Sequence, residues 1–272
     1  MTEIYHDIRK LYLFRRPSDE LAGLIEFFSE TSQDSMFRHI GTEVFTVKLF
    51  PSFTPTIWIN LGTPYLLQNG NEHYEIPSNG DIILLRNEIV ERTNLPTDNI
   101  FTIKFNPGGF ESVFGISQSL IGSHVLPVTH FIPAPLIKKL KRSAGLDDRI
   151  RLLEQYFVDK MEAQRSGNHQ LKYVTEAIRI VESGNWSAGN AGLAKQLCIT
   201  EKSLYRYFND AVGVNPKTYF SFARARTALT SWVKDPSGFE ATEFGYYDRS
   251  HFYKDVRRLT GSKLNSGVEH AT

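Results

Sequence analysis

Thr200-Glu201-Lys202-Ser203-Leu204-Tyr205-Arg206-Tyr207-Phe208-Asn209-Asp210-Ala211 is the stretch on which the architecture turns. Thr200 is a good N-cap residue, and Leu204, Tyr207, Phe208 and Ala211 recur at the spacing of one helical face. That face would be buried, leaving Lys202, Tyr205, Arg206 and Asn209 on the opposite one. Just upstream, Asn190 to Leu197 predicts a short helix and Cys198-Ile199-Thr200 a tight turn, so the unit is a helix-turn-helix. An exposed lysine, tyrosine and arginine suit a helix lying in a DNA major groove. Arginine can donate two hydrogen bonds to guanine, while the others reach phosphates or base edges.

An internal repeat strengthens this pattern. A shift of forty-eight positions aligns Leu204 with Phe252, Arg206 with Lys254, Phe208 with Val256 and Gly213 with Gly261. Upstream the register slips by one, pairing Ala194 with Ala241, so the second turn, Gly245-Tyr246-Tyr247-Asp248, is one residue longer. A second helix is thus predicted from Asp248 to Leu259, exposing Arg249, Ser250, His251, Lys254 and one of Arg257 and Arg258. Between the units, Pro216 opens a long helix that Asp235-Pro236-Ser237-Gly238 ends near Lys234. Two reading helices on a rigid spacer can meet successive major grooves, roughly 34 Å apart.

Leu193-Ala194, Ser203 to Phe208, Gly213, Pro216, Tyr219, Arg224 and Ala228, followed by Gly245-Tyr246-Tyr247-Asp248-Arg249-Ser250-His251-Phe252 and Gly261, resemble the AraC/XylS family of transcriptional regulators. The resemblance covers about the last hundred residues. It implies a DNA-binding transcription factor acting on double-stranded promoter or operator DNA, with RNA polymerase as a further partner if it activates. Position by position, it puts base-facing roles on Lys202, Tyr205 and Arg206, and on Arg249, Ser250, His251 and Lys254. The chain departs from the family pattern at Glu240, where an apolar residue is usual, and at Lys263, where proline is common. With Pro236-Ser237-Gly238 nearby, these departures predict a weaker supporting helix in the second unit.

The remainder of the chain is of another kind. Phe45–Phe50, Thr56–Leu61, Asp81–Leu85 and Ile100–Phe105 are β-rich runs separated by Gly62, Gly70, Asn79-Gly80 and Pro107-Gly108-Gly109. Ser18-Asp19-Glu20 predicts the cap of a helix carrying Leu21, Leu24, Ile25 and Phe28. Pro135 to Met161 reads as helical with a break at Gly145, and Leu171, Val174, Ile178 and Val181 form another helical stripe. The polar stretch Ala163 to Asn168 predicts a linker, giving a β-rich domain over 1–165 and a double helix-turn-helix domain over 169–272. Charge divides in the same way: 17 basic against 20 acidic residues up to Asn168, then 14 against 10. The expected class is α+β, a β-rich N-terminal domain with flanking helices followed by an all-α DNA-binding domain.

Tyr12 to Ser18, Leu61-Gly62 and Phe105-Asn106-Pro107-Gly108-Gly109-Phe110 are similar to an uncharacterised β-rich domain often fused ahead of this module. In the wider family such domains are cupin-like barrels, which implies a small-molecule effector or a homodimer. Trp58 and Asn60 share one face of a strand, and Lys104 and Asn106 one face of another; inside a barrel they could hold a small polar ligand, outside it they are ordinary surface.

The eight histidines, 6, 39, 73, 124, 130, 169, 251 and 270, include no pair suited to a metal, and His124 and His130 flank Pro127 in an expected loop. No nucleophile elbow or nucleotide-binding glycine loop is present, so neither enzyme nor cofactor is expected. The lone Cys198 is expected to be buried packing between Leu197 and Ile199 rather than a redox sensor. No apolar run approaches the ~20 residues of a membrane span. Met1 to Lys10 lacks the apolar core of a signal peptide, so a cytoplasmic protein is expected. The competing expectation is a ligand-binding or enzymatic N-terminal domain with a helical dimerisation module that does not read DNA; it requires the faces bearing Lys202, Tyr205 and Arg206 to be buried.

Overall fold

A computed structural model describes residues 8–163, 169–184, 186 and 188–264. In chain order the elements are α1 (Ile8–Leu11), β1 (Tyr12–Arg15), β2 (Ile25–Thr31), α2 (Gln33–Ile40), β3 (Phe45–Leu49), β4 (Pro55–Asn60), β5 (Tyr65–Asn69), β6 (Glu72–Ile76), β7 (Ile82–Leu85), β8 (Val90–Asn94) and β9 (Ile100–Phe105). There follow α3 (Gly109–Phe114), β10 (Val125–Pro127), α4 (Ala134–Arg142), α5 (Leu146–Ala163), α6 (His169–Glu182), α7 (Asn190–Gln196), α8 (Glu201–Val212), α9 (Pro216–Lys234) and α10 (Arg249–Thr260). Short 3₁₀ turns occupy Gln118–Leu120, Val128–His130 and Ala241–Phe244. The expected order, a β-rich half followed by helices alone, holds. Of the expected linker, Ala163 to Asn168, Ala163 is the last residue of α5 and the rest lies outside the described residues.

Two antiparallel sheets form the first half, one ordered β1-β2-β9-β4-β7-β10 and the other β3-β8-β5-β6. Every residue of β4, β7 and β9 is buried. Near-continuous apolar strands of this kind require cover on both faces. Ile57, Ile59, Ile83, Phe101, Ile103 and Phe105 pack beneath α3, α4 and α5, whereas Trp58, Ile82, Leu84 and Ile100 turn toward the second sheet. The break at Ser143–Gly145 lets α4 and α5 fold against the sheet as two helices.

The helix expected after Ser18 is not formed. Residues 19–24 are turns, and Ile25–Thr31 is a strand pairing with both β1 and β9. The spacing of Leu21, Ile25 and Phe28 is shared by a turn leading into a strand, all three are fully buried, and two ladders outweigh the local helical preference. Gly109 explains the glycine pair that ends β9: a Cβ there would stand 2.0 Å from the Leu24 carbonyl oxygen, and Gly108 is left-handed with φ 77°.

The helical half docks onto the sheets through the β3–β4 connection. From Phe50 to Asn60 the chain is buried without interruption. Phe53 enters the core of α6, α7 and α8, with its ring centroid 5.2 Å from that of Phe222 and 6.3 Å from that of Tyr219. Phe50 enters the other helical core, with Phe239, Phe252 and Leu259. Phe53 holds φ 53°, left-handed for a residue with a bulky side chain. Its carbonyl accepts from Gln118 Nε2 at 2.8 Å, and the same nitrogen donates to the Val212 carbonyl at 2.8 Å. Phe53→Ala is expected to cost about 3–5 kcal/mol. Hydrogen exchange should then rise in α6 to α9 before the β4 and β9 amides; a rise confined to the sheets would show that Phe53 does not anchor the helices.

Candidate nucleic-acid interface

The two helix-turn-helix units share one backbone hydrogen bond and one left-handed residue at their turns. In the first, α7 buries Leu193 and Ala194, and Ile199 N–H donates to the Ala194 carbonyl at 3.0 Å. In the second, Tyr246 N–H donates to the Ala241 carbonyl at 3.3 Å. Each turn bends through one left-handed residue, Cys198 at φ 54° and Gly245 at φ 72°. Cys198 is exposed, contrary to the expected buried packing, because this backbone aims its side chain out of the turn while Leu197 and Ile199 stay half-buried. The extra residue of the second turn is Tyr247, which follows Tyr246 and is displayed, 88% exposed, just before the cap.

The reading helices start and stop in the same way. Thr200 accepts from Ser203 N–H at 3.1 Å to cap α8, and Asp248 accepts from His251 N–H at 2.9 Å to cap α10. Gly213 and Gly261 end them in left-handed geometry. Leu204, Tyr207, Phe208 and Ala211 are buried as the spacing predicts, and so are Phe252 and Val256 in the repeat. The Asp248 carboxylate is held below the usual carboxylate range, chiefly by the His251 backbone N–H, with the nearby His251 ring adding to it.

Lys202, Tyr205 and Arg206 all lie exposed on α8, Tyr205 at 52%. Asn209 is half-buried, and its amide donates to the Tyr205 carbonyl at 2.9 Å. On α10, Arg249, Ser250, His251 and Lys254 are exposed together with Arg257 and Arg258. Two of these arginines are engaged. Arg249 donates to the Phe239 carbonyl at 2.7 Å and stands 3.4 Å from Glu240, while the Arg258 guanidinium lies 4.6 Å from the Phe222 ring centre. Glu240, the departure from the family pattern, thus has a partner in this unit. The supporting element behind it is a single 3₁₀ turn rather than a helix.

What braces the second unit was not legible in the motif. Arg224 of α9 pairs with Asp255 of α10 at 2.9 Å and lies 4.2 Å from the Tyr246 ring centre. Tyr246 in turn donates to Asp255 at 3.2 Å. Burial, then the Asp255 carboxylate, pushes the Tyr246 phenol up. The only advance signal was the presence of Arg224 and Tyr246 among the motif residues. His124 and His130, expected in a loop, are both exposed at the ends of β10 and of the 3₁₀ turn after it.

Residues 193–265 match the family model described as a helix-turn-helix domain. No curated protein matches the chain. Among solved structures the chain is similar to ToxT from Vibrio cholerae, at 14% identity over 81% of this chain and 95% of that one, with a TM-score of 0.48. ToxT from strain SCE256 with a bound unsaturated fatty acid aligns at 14% identity over 81% and 92%, TM-score 0.44. The AraC-like transcriptional activator CuxR aligns at 15% identity over 84% and 92%, TM-score 0.29. No helix among the described residues is long and apolar enough to cross a membrane.

Two outcomes follow from the turns and caps. Cys198→Gly, which places in the first turn the residue type of the second, is expected to stabilise the fold by about 0.5–1 kcal/mol in chemical denaturation, because only glycine adopts the left-handed region without steric cost. The cap of α10 is present above the ordinary aspartate pKa of about 4 and is lost as pH falls through the lowered folded value. Amide exchange in its first turn should therefore accelerate on acidification, and Asp248→Asn should remove that dependence.

Proposed function

We propose that the protein is a sequence-specific DNA-binding transcriptional regulator that uses both helix-turn-helix units. The observation that carries this is the duplication of one turn, one cap and one exposed cationic face at α8 and α10, in a region matching a helix-turn-helix domain. Lys202, Tyr205 and Arg206 read DNA from the first unit, and Ser250, His251 and Lys254 from the second. Arg249 reaches a base only after leaving the Phe239 carbonyl, so it serves first to position α10. The exposure of the α8 face argues against a helical module that only dimerises. The excess of basic residues after Asn168 supplies phosphate attraction and a salt-sensitive affinity.

In this reading residues 1–165 form the controlling domain, acting through a small-molecule effector or a homodimer contact and not as an enzyme, and residues 169–272 the reading domain. As an activator it would also meet RNA polymerase. Selection from a random duplex library by the full-length protein tests the function: enrichment of two half-elements about one helical turn apart, roughly 34 Å, is expected. Enrichment of one half-element would confine reading to α8, and none would refute the function. Arg206→Ala should lose about 1–3 kcal/mol of discrimination at one base position. Equal weakening on all sequences would make Arg206 a phosphate contact.

A further inference from the structure

Both reading helices end against the β-rich half, and they end against the same turn. β7 leaves the first sheet at Leu85, β8 enters the second at Val90, and residues 86–89 carry the chain across. At one end of this turn, a Cβ added to Gly213, the C-cap of α8, would stand 3.4 Å from Leu85 Cδ2. At the other end, a Cβ added to Gly261, the C-cap of α10, would stand 3.0 Å from Ile89 Cδ1. The two glycines correspond in the internal repeat, so equivalent points of the two units are seated on Leu85 and Ile89 of one short segment. Fully extended, the path from Leu85 to Ile89 measures at most about 14 Å.

The seat itself is held firmly. Ser52 and Phe53 N–H donate to the Arg86 carbonyl at 2.8 and 2.9 Å, Gly70 N–H donates to the Ile89 carbonyl at 3.1 Å, and the Asn87 amide donates to Ser123 Oγ at 3.2 Å. The end of α8 is tied down beside it, because Gln118 donates to the Val212 carbonyl and the Ser117 hydroxyl to that of Asp210. α9 already joins the two units, and bodies joined at a second place lose the freedom to pivot about the first. The seats lie at the C-terminal ends of two 12-residue helices, each about 18 Å long. A small tilt at Gly213 or Gly261 is therefore enlarged at the far ends, where Lys202, Ser250 and His251 are displayed.

We infer that the turn between β7 and β8 is a positioning element for DNA reading: with Leu85 against the end of α8 and Ile89 against the end of α10, it sets the relative tilt and separation of the two reading helices, and with them the spacing of half-elements that the protein accepts. The consequence at DNA rests on the regulator proposed above; the geometry of the heads does not. One base pair added between half-elements moves one of them by about 3.4 Å and rotates it by about 34°, a change that heads seated on one turn do not follow. Ile89 is the residue through which to test this, because it is half-buried and belongs to neither helical core, whereas Leu85 is 2% exposed within the core of the first sheet.

Two measurements on the full-length protein test the role of the turn. The single cysteine, Cys198, is exposed in the first helix-turn-helix, and Tyr247→Cys puts a second thiol in the other, so nitroxide labels there report the distance between the heads by double electron–electron resonance. A narrow distribution is expected with Ile89 in place and a broadened or displaced one with Ile89→Ala. Ile89→Leu, which keeps a methyl group at the δ position, should restore the narrow one. On duplexes carrying both selected half-elements, one added base pair should weaken the unsubstituted protein about tenfold and Ile89→Ala less than about threefold, with base preference inside each half-element unchanged. An unmoved, equally narrow distribution in Ile89→Ala, an undiminished spacing penalty, or base preference lost together with spacing preference would each overturn the proposal. If the unsubstituted protein selects no DNA, the regulator reading fails while the label distances still decide the role of the turn. DNA selection with unmoved distances in Ile89→Ala would sink the positioning role and leave the regulator standing.

Discussion

The buried segment from Phe50 to Thr54 is the constraint on which the arrangement of the two halves depends. It belongs to the sheets by hydrogen bonding, with Ser52 and Phe53 N–H both donating to the Arg86 carbonyl and Arg86 N–H returning to Thr54. By packing it belongs to the helices, one phenylalanine in each helical core. Its carbonyls are satisfied from both sides, since Arg86 and Arg226 of α9 both donate to the Phe50 oxygen, and Arg226 also to that of Pro51. A non-helical, non-strand stretch can be buried only when its polar backbone is served in this way. The left-handed Phe53 is the local strain that the surrounding contacts hold in place.

This explains why the helical half was more legible than its attachment. α9 runs from Pro216 to Lys234 as the sequence indicates, because proline at its start and Asp235-Pro236 at its end are local signals. The caps Thr200 and Asp248 and the stripe of Leu204, Tyr207 and Phe208 are equally local. Nothing local marks Phe50 and Phe53 as residues for another domain's core; Phe50 reads as the last residue of the β-rich run from Phe45. Gln118, which ties Phe53 to α8, lies in a polar stretch with no periodicity.

In the β-rich half the strands β4, β7 and β9 announce themselves as apolar runs, but their two-sided burial depends on α3, α4 and α5, which only the fold brings together. β2 was hidden because its apolar spacing imitates a helical face. Trp58 and Lys104 were recognised as sharing faces with alternative fates, and both turn inward. Their strand partners do not form one site with them. Asn60 is spent on the Thr63 and Pro77 carbonyls, and Asn106 donates to that of Ala22.

α9 contributes Tyr219 and Ala223 to the first helical core and Ala225, Ala228 and Leu229 to the second. With one continuous helix shared by both cores, the angular phase between the two reading heads is written in its residue count. Each residue of an α-helix adds about 1.5 Å and about 100° of rotation. A single insertion there would swing one head to a different side of the duplex, whereas seven residues, close to two full turns, would nearly restore its facing while lengthening the span. If both units meet one duplex as proposed, the lengths of α9 that keep their facing are periodic in the turn of the helix.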